Sequence, residues 1–145
     1  MLELDGQRLS LARIAAVASG QESVSLSNSA RQRVEKSRLI VEKIVAEGRT
    51  VYGVNTGFGR LSDMRIDPTE LRALQLNLVR SHACGLGPPL SIPEARAMLL
   101  LRANVLALGY SGCRAALIEK LIEMLERGVT PVIPEKGSVG ASGAP

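Results

Sequence analysis

The chain has 145 residues, 46% of them apolar and 22% charged, with 18 Lys and Arg against 14 Asp and Glu for a net charge of +4. That balance excludes a largely disordered chain, and the length suits one domain of ordinary size. With no Trp, two Tyr and one Phe, the core must be filled by Leu, Val, Ile and Ala, as packed helices do, and bases of a single-stranded nucleic acid would find almost nothing to stack on.

In chain order, residues 2–5 followed by Gly6 predict a short strand and turn. Ser10 caps a helix whose Leu11, Ile14, Ala15 and Ala18 share one face, with Gly20 as its stop. Residues 23–26 alternate as a second strand would, and Ser27 or Ser29 starts a longer helix. There Val34, Val41 and Val45 form a stripe, Ile40 and Ile44 widen it, and Gly48 ends it. Residues 49–65 change character: three glycines and Asn55 within positions 53–59 predict a shaped loop.

Asp67-Pro68-Thr69-Glu70 reads as a helix start, with an Asp cap, Pro at the first helical position and Glu at the third, followed by Leu71, Leu74 and Leu78. Gly85, Gly87 and Pro88-Pro89 break the chain. Ser91-Ile92-Pro93-Glu94 then repeats the capping pattern and opens a helix to about Leu108. Leu117, Ile118, Leu121, Ile122 and Leu125 mark a last helix closed by Gly128, and residues 129–133 read as extended around Pro131 and Pro134. The expectation is a mainly α protein of five helices with minor strands and two glycine-rich loops.

The basic residues are scattered, which predicts a solvated surface and no nucleic-acid partner. The most apolar stretch, residues 97–110, is interrupted by Arg102 and Asn104, so no membrane span is expected. Cys84 and Cys113, with His82 as the one histidine, cannot build a usual zinc site; no metal is expected, and both cysteines read as buried free thiols of a cytosolic protein.

The chemistry concentrates at the end of the chain. Residues 137–143 could be a flexible tail, and a phosphate-cradling loop is disfavoured because Ala144 follows where Lys and Ser or Thr are needed. Ala141-Ser142-Gly143 has the composition for backbone self-cyclisation. The Gly143 amide nitrogen could attack the Ala141 carbonyl carbon, and loss of water from the ring and from the Ser142 hydroxyl would leave an electrophilic methylidene on an imidazolone. Glycine suits the attacking position because the backbone must bend tightly there.

Gly-Ser-Val-Gly-Ala-Ser-Gly at 137–143, with Tyr-Gly-Val-Asn-Thr-Gly-Phe-Gly at 52–59, resembles the N-terminal part of the aromatic amino acid ammonia-lyases, over nearly the whole chain from about Leu9 to Gly143. The resemblance implies the helical N-terminal domain of the ammonia-lyase (aspartase/fumarase-like) fold with minor short strands. It implies that Ala141, Ser142 and Gly143 form the methylidene-imidazolone autocatalytically, and that Tyr52 takes the β-proton of the substrate. Elimination needs such a base because that proton is carbon-bound and poorly acidic. Read without the resemblance, Tyr52 is a loop tyrosine packing its ring on a helix, and His82 a helix C-terminal histidine on the macrodipole.

Ser81-His82 resembles the selectivity pair of the histidine-specific members, to which the chain is most similar, so the resemblance implies L-histidine as substrate and His82 as the group that binds its imidazole. A tyrosine ammonia-lyase or aminomutase of the same family is the alternative, and a catalytically inert helical fragment another. The family enzymes are cytoplasmic homotetramers several times longer. Where they usually continue Asp-Leu-Ala-Pro after the triad, this sequence reads Ala144-Pro145. Residues 1–145 are therefore expected to be an electrophile-bearing N-terminal domain cut just after the triad, inactive alone.

Overall fold

A computed structural model describes residues 1–56, 66–67 and 69–137. The elements run β1 (Leu2–Leu4), α1 (Leu11–Ala18), β2 (Val24–Leu26), α2 (Asn28–Ala46), α3 (Leu71–His82), β3 (Leu86–Pro89), α4 (Ile92–Ala107), α5 (Ala115–Glu126) and β4 (Pro134–Lys136). The five expected helices are all present, and the mainly α class holds. The chain divides into two compact units, one of Met1–Ile40 with Pro89–Ile133, the other of Val41–Pro88 with the segment beginning at Pro134.

The first unit is built around α4, which packs on α1 and α5, while β2 lies on α5. Strands β1 and β2 pair in parallel, Leu2 opposite Val24 and Leu4 opposite Leu26, with α1 as the crossover that parallel pairing requires. Leu2, Leu4, Val17, Val34, Leu100 and Ile118 are the largest fully buried side chains. The core is thus aliphatic, as the scarcity of aromatics demanded.

The caps explain where helices begin. Ser10 Oγ accepts the Arg13 N–H at 3.3 Å, and Ser27 Oγ accepts that of Ala30 at 3.1 Å. At α4, Ser91 Oγ faces the Glu94 N–H while Glu94 Oε2 accepts the Ser91 N–H at 2.8 Å, a reciprocal capping box with Pro93 inside it. Asn104, on the same helix, accepts from Gly6 N–H at 3.2 Å and donates to Gln7 O at 2.9 Å, tying the turn after β1 to α4. Gly109 ends α4 at φ +82°, where an added Cβ would meet Arg33 Cβ at 2.8 Å and Arg33 backbone at 2.9 Å, so only glycine fits.

Three expectations are corrected. Helix α3 starts at Leu71, its cap is Glu70 with no side-chain hydrogen bond, and Asp67 Oδ1 instead accepts from Thr69 N and Oγ1 at 2.9 and 2.6 Å in a preceding turn. Asp can satisfy a local turn as readily as a helix end, and the turn wins. Pro68 lies outside the described residues. A second two-stranded sheet, not expected from the sequence, joins β3 and β4; Gly and Pro hide these strands, and β4 follows directly on residues 129–133, which are expected only to be extended. Finally, the predicted α2 stripe is buried only at its start: Val34 is inside, whereas Ile40 and Val45 are exposed.

Candidate active site

Tyr52 sits in a tight loop of the second unit. Val54 and Asn55 both donate their backbone N–H to Val51 O, at 3.1 and 3.3 Å. Gly53 takes φ +77° in open space, so its glycine serves the backbone conformation and not a close approach. Asn55, 4% exposed, holds the loop from within. Its Nδ2 donates to Arg49 O at 2.8 Å, its Oδ1 accepts the Val51 N–H at 3.0 Å, and its carbonyl accepts the Ile66 N–H at 3.0 Å. This agrees with a shaping role for Asn55, and it leaves Tyr52 on the outside of the turn, 64% exposed. At the loop's base Glu47 is paired with Lys43 at 3.7 Å and Arg49 at 3.8 Å.

His82 is the last residue of α3 and is exposed. Its Nδ1 lies 2.9 Å from Leu78 O and 3.0 Å from Ser81 Oγ. A carbonyl oxygen can only accept, so Nδ1 carries the proton that reaches Leu78 O, an assignment made from the hydrogen bond. In that tautomer Nε2 is a lone-pair acceptor suited to an N–H of a ligand. Tyr52 and His82 belong to the same unit. Phe58, Ala141, Ser142 and Gly143 lie outside the described residues.

The thiol expectation is half right. Both cysteines are free, and Cys113 is half-buried, with burial pushing its thiol up; Cys84 is exposed, its Sγ donating to His82 O at 3.4 Å. It follows the end of α3, where no core covers it. Among the described residues, no group of three His, Cys, Asp or Glu side chains converges as a metal site would, and no helix is long and apolar enough to cross a membrane.

A surface cavity of about 520 Å³ lies in the first unit, lined by Glu22, Ile92, Pro93, Arg96 and Glu126 among others. Its polar groups are occupied structurally. Glu22 is paired with Arg13, and Glu126 Oε1 accepts the Val24 N–H at 2.7 Å. Arg96 is only 9% exposed, yet it faces carbonyls and no carboxylate. It donates to Ala18 O at 3.0 Å, Val17 O at 3.0 Å and Leu125 O at 2.9 Å, joining the C-terminal ends of α1 and α5. Nothing in the motifs marks Arg96; the signal for it is an arginine one turn inside an otherwise apolar stretch of helix.

The sequence profile described as aromatic amino acid lyase matches residues 9–144. A histidine ammonia-lyase of Anaeromyxobacter sp. (strain K) is 54% identical over 142 residues, 98% of this chain and 28% of that protein. Among solved structures, a histidine ammonia-lyase from Trypanosoma cruzi superposes with a TM-score of 0.87 at 41% identity, covering 96% of this chain and 27% of that one. A tyrosine aminomutase from Streptomyces globisporus gives 0.88 at 38% identity, covering 95% and 26%. The chain therefore spans little more than a quarter of its relatives' length and belongs to the aromatic amino acid lyase family.

Proposed function

We propose that residues 1–145 are the electrophile-bearing N-terminal domain of a histidine ammonia-lyase, which converts L-histidine to urocanate and ammonia. The observation that carries this reading is the 54% identity to a histidine ammonia-lyase over 98% of the chain; the aminomutase likeness is weaker, at 38%. By their chemistry Ala141, Ser142 and Gly143 suit the methylidene-imidazolone, since they supply an unobstructed carbonyl, a hydroxyl that can leave as water and a backbone nitrogen without a side chain beside it. That group, when formed, supplies an electrophilic carbon that makes the substrate's amine a better leaving group.

The chain's own residues do the rest. Tyr52, held outward by the Asn55 clamp, removes the β-proton. His82, with its Nδ1 proton engaged by Leu78 O, accepts the imidazole N–H of the substrate at Nε2 and orients the ring. A phenyl side chain would leave that acceptor unmatched, which is the basis of selectivity. The complete enzyme is a cytoplasmic homotetramer, and the 145-residue chain is inactive alone.

The test is a substrate panel on a full-length lyase carrying this segment, with intact mass measured in parallel. The expected result is turnover of histidine, a mass lower by two waters, and loss of both with Ser142→Ala. Preference for tyrosine, or an unshifted mass in an active enzyme, overturns the reading.

A further inference from the structure

Helix α4 is apolar on two sides. Its inner side, Ala95, Leu99, Leu100, Ala103 and Ala107, is the centre of the first unit's core. On its outer side Met98, Leu101 and Val105 are 41%, 43% and 52% exposed. Their spacing of three and four residues puts them on one stripe, and with Arg102 they line a shallow groove of about 300 Å³. A helix whose outer face met water would be polar there. Arg102 has no hydrogen bond or ion pair among the described residues. An uncovered apolar stripe with an unanswered cation in it has the character of half an interface.

We propose that this stripe seats an amphipathic helix from the part of the full-length lyase outside residues 1–145, and that the helix places a carboxylate against Arg102. Two observations select that occupant. Relatives covered to only 28% of their length have ample chain to supply it. The cation calls for an acid, and a second copy of α4 offers one poorly. Antiparallel pairing about Met98 would bring Arg102 to the partner's Glu94, whose carboxylate already accepts from Ser91 N and Oγ at 2.8 and 2.6 Å.

The test grafts residues 1–137 of this chain onto the remainder of the Anaeromyxobacter relative and compares Leu101→Glu and Arg102→Glu there with the same changes in the 145-residue chain. In the short chain both are surface changes, expected to move Tm by less than about 2 °C. In the graft, Leu101→Glu is expected to lower Tm by roughly 8 °C or more and Arg102→Glu by about half that, with Leu101→Met near wild type. Equal shifts in both proteins, or none in the graft, overturn the proposal. So does a short chain that sediments as a dimer and becomes monomeric with Leu101→Glu, which would assign the stripe to a second copy. Co-expression of the short chain with the relative's remaining portion reads the same contact without a stable graft. Capture lost on Leu101→Glu supports the proposal, whereas capture indifferent to it, or none by wild type, overturns it.

Discussion

The two units of this chain spend their residues differently. In the first, eleven aliphatic side chains form one buried cluster joining β1, β2 and helices α1, α2, α4 and α5. In the second, the buried residues among those described are Asn55 and Thr56, both polar, and α3 contributes none. The first unit is held by burial, the second by local hydrogen bonds around a loop. The contrast separates the part that resists unfolding from the part that carries Tyr52 and His82. The two side chains proposed to meet the substrate thus lie where few groups are packed away.

The widest difference should come from paired truncations. Leu100→Ala, at a fully buried position, is expected to cost about 4 kcal/mol, and Leu76→Ala, on the exposed side of α3, under about 0.5 kcal/mol, in chemical denaturation. Equal losses would break the comparison. Arg96→Met comes next, at about 2 kcal/mol, because Ala18 O loses its guanidinium donor while the carbonyls of Val17 and Leu125 keep only backbone N–H partners, from Gly20 and Gly128 among them. Asn55→Ala should cost about 1–2 kcal/mol and act locally, raising amide exchange at Val51 while α4 and α5 stay protected.

Acid gives the smallest and broadest effect. Glu22 is held below the ordinary carboxylate range by its hydrogen bond from Arg13, Glu94 by the Ser91 hydroxyl and backbone N–H, and Glu123 by Lys120 and then Arg127. A lowered folded-state pKa stabilises above the unfolded value and is lost as pH falls through the folded one. Tm should therefore drop on acidification below about pH 4.3, less steeply for Glu22→Gln. All three glutamates lie in the first unit, so the acid transition should be read there.

The sequence makes some of this legible and hides the rest for physical reasons. Ser10 and the Ser91–Glu94 box announce their helices because a cap is a local device, visible in four residues. Asp67 misleads because its carboxylate serves a turn equally well. The β3–β4 pair is hidden because Gly85, Gly87, Pro88 and Pro134 carry no strand propensity, and the pairing is non-local. Arg96 escapes because its partners are backbone carbonyls 29 to 79 positions away. Tyr52 and His82 became candidates only through the family likeness; by themselves each is an exposed polar side chain at the end of a local element.

The tie from Asn104 to Gly6, together with the burial of Leu2 and Leu4, reaches beyond the folded state. The first strand's companions on α4 and α5 are complete only at Glu126, about 120 residues further on. At about 5–20 residues per second on the ribosome, Leu2 and Leu4 wait roughly 6–25 seconds before the core around them can close. During synthesis the leading segment is a client for whatever shields nascent apolar chain, and slowing translation between α1 and α4 should lower the soluble yield before it touches the stability of the finished protein.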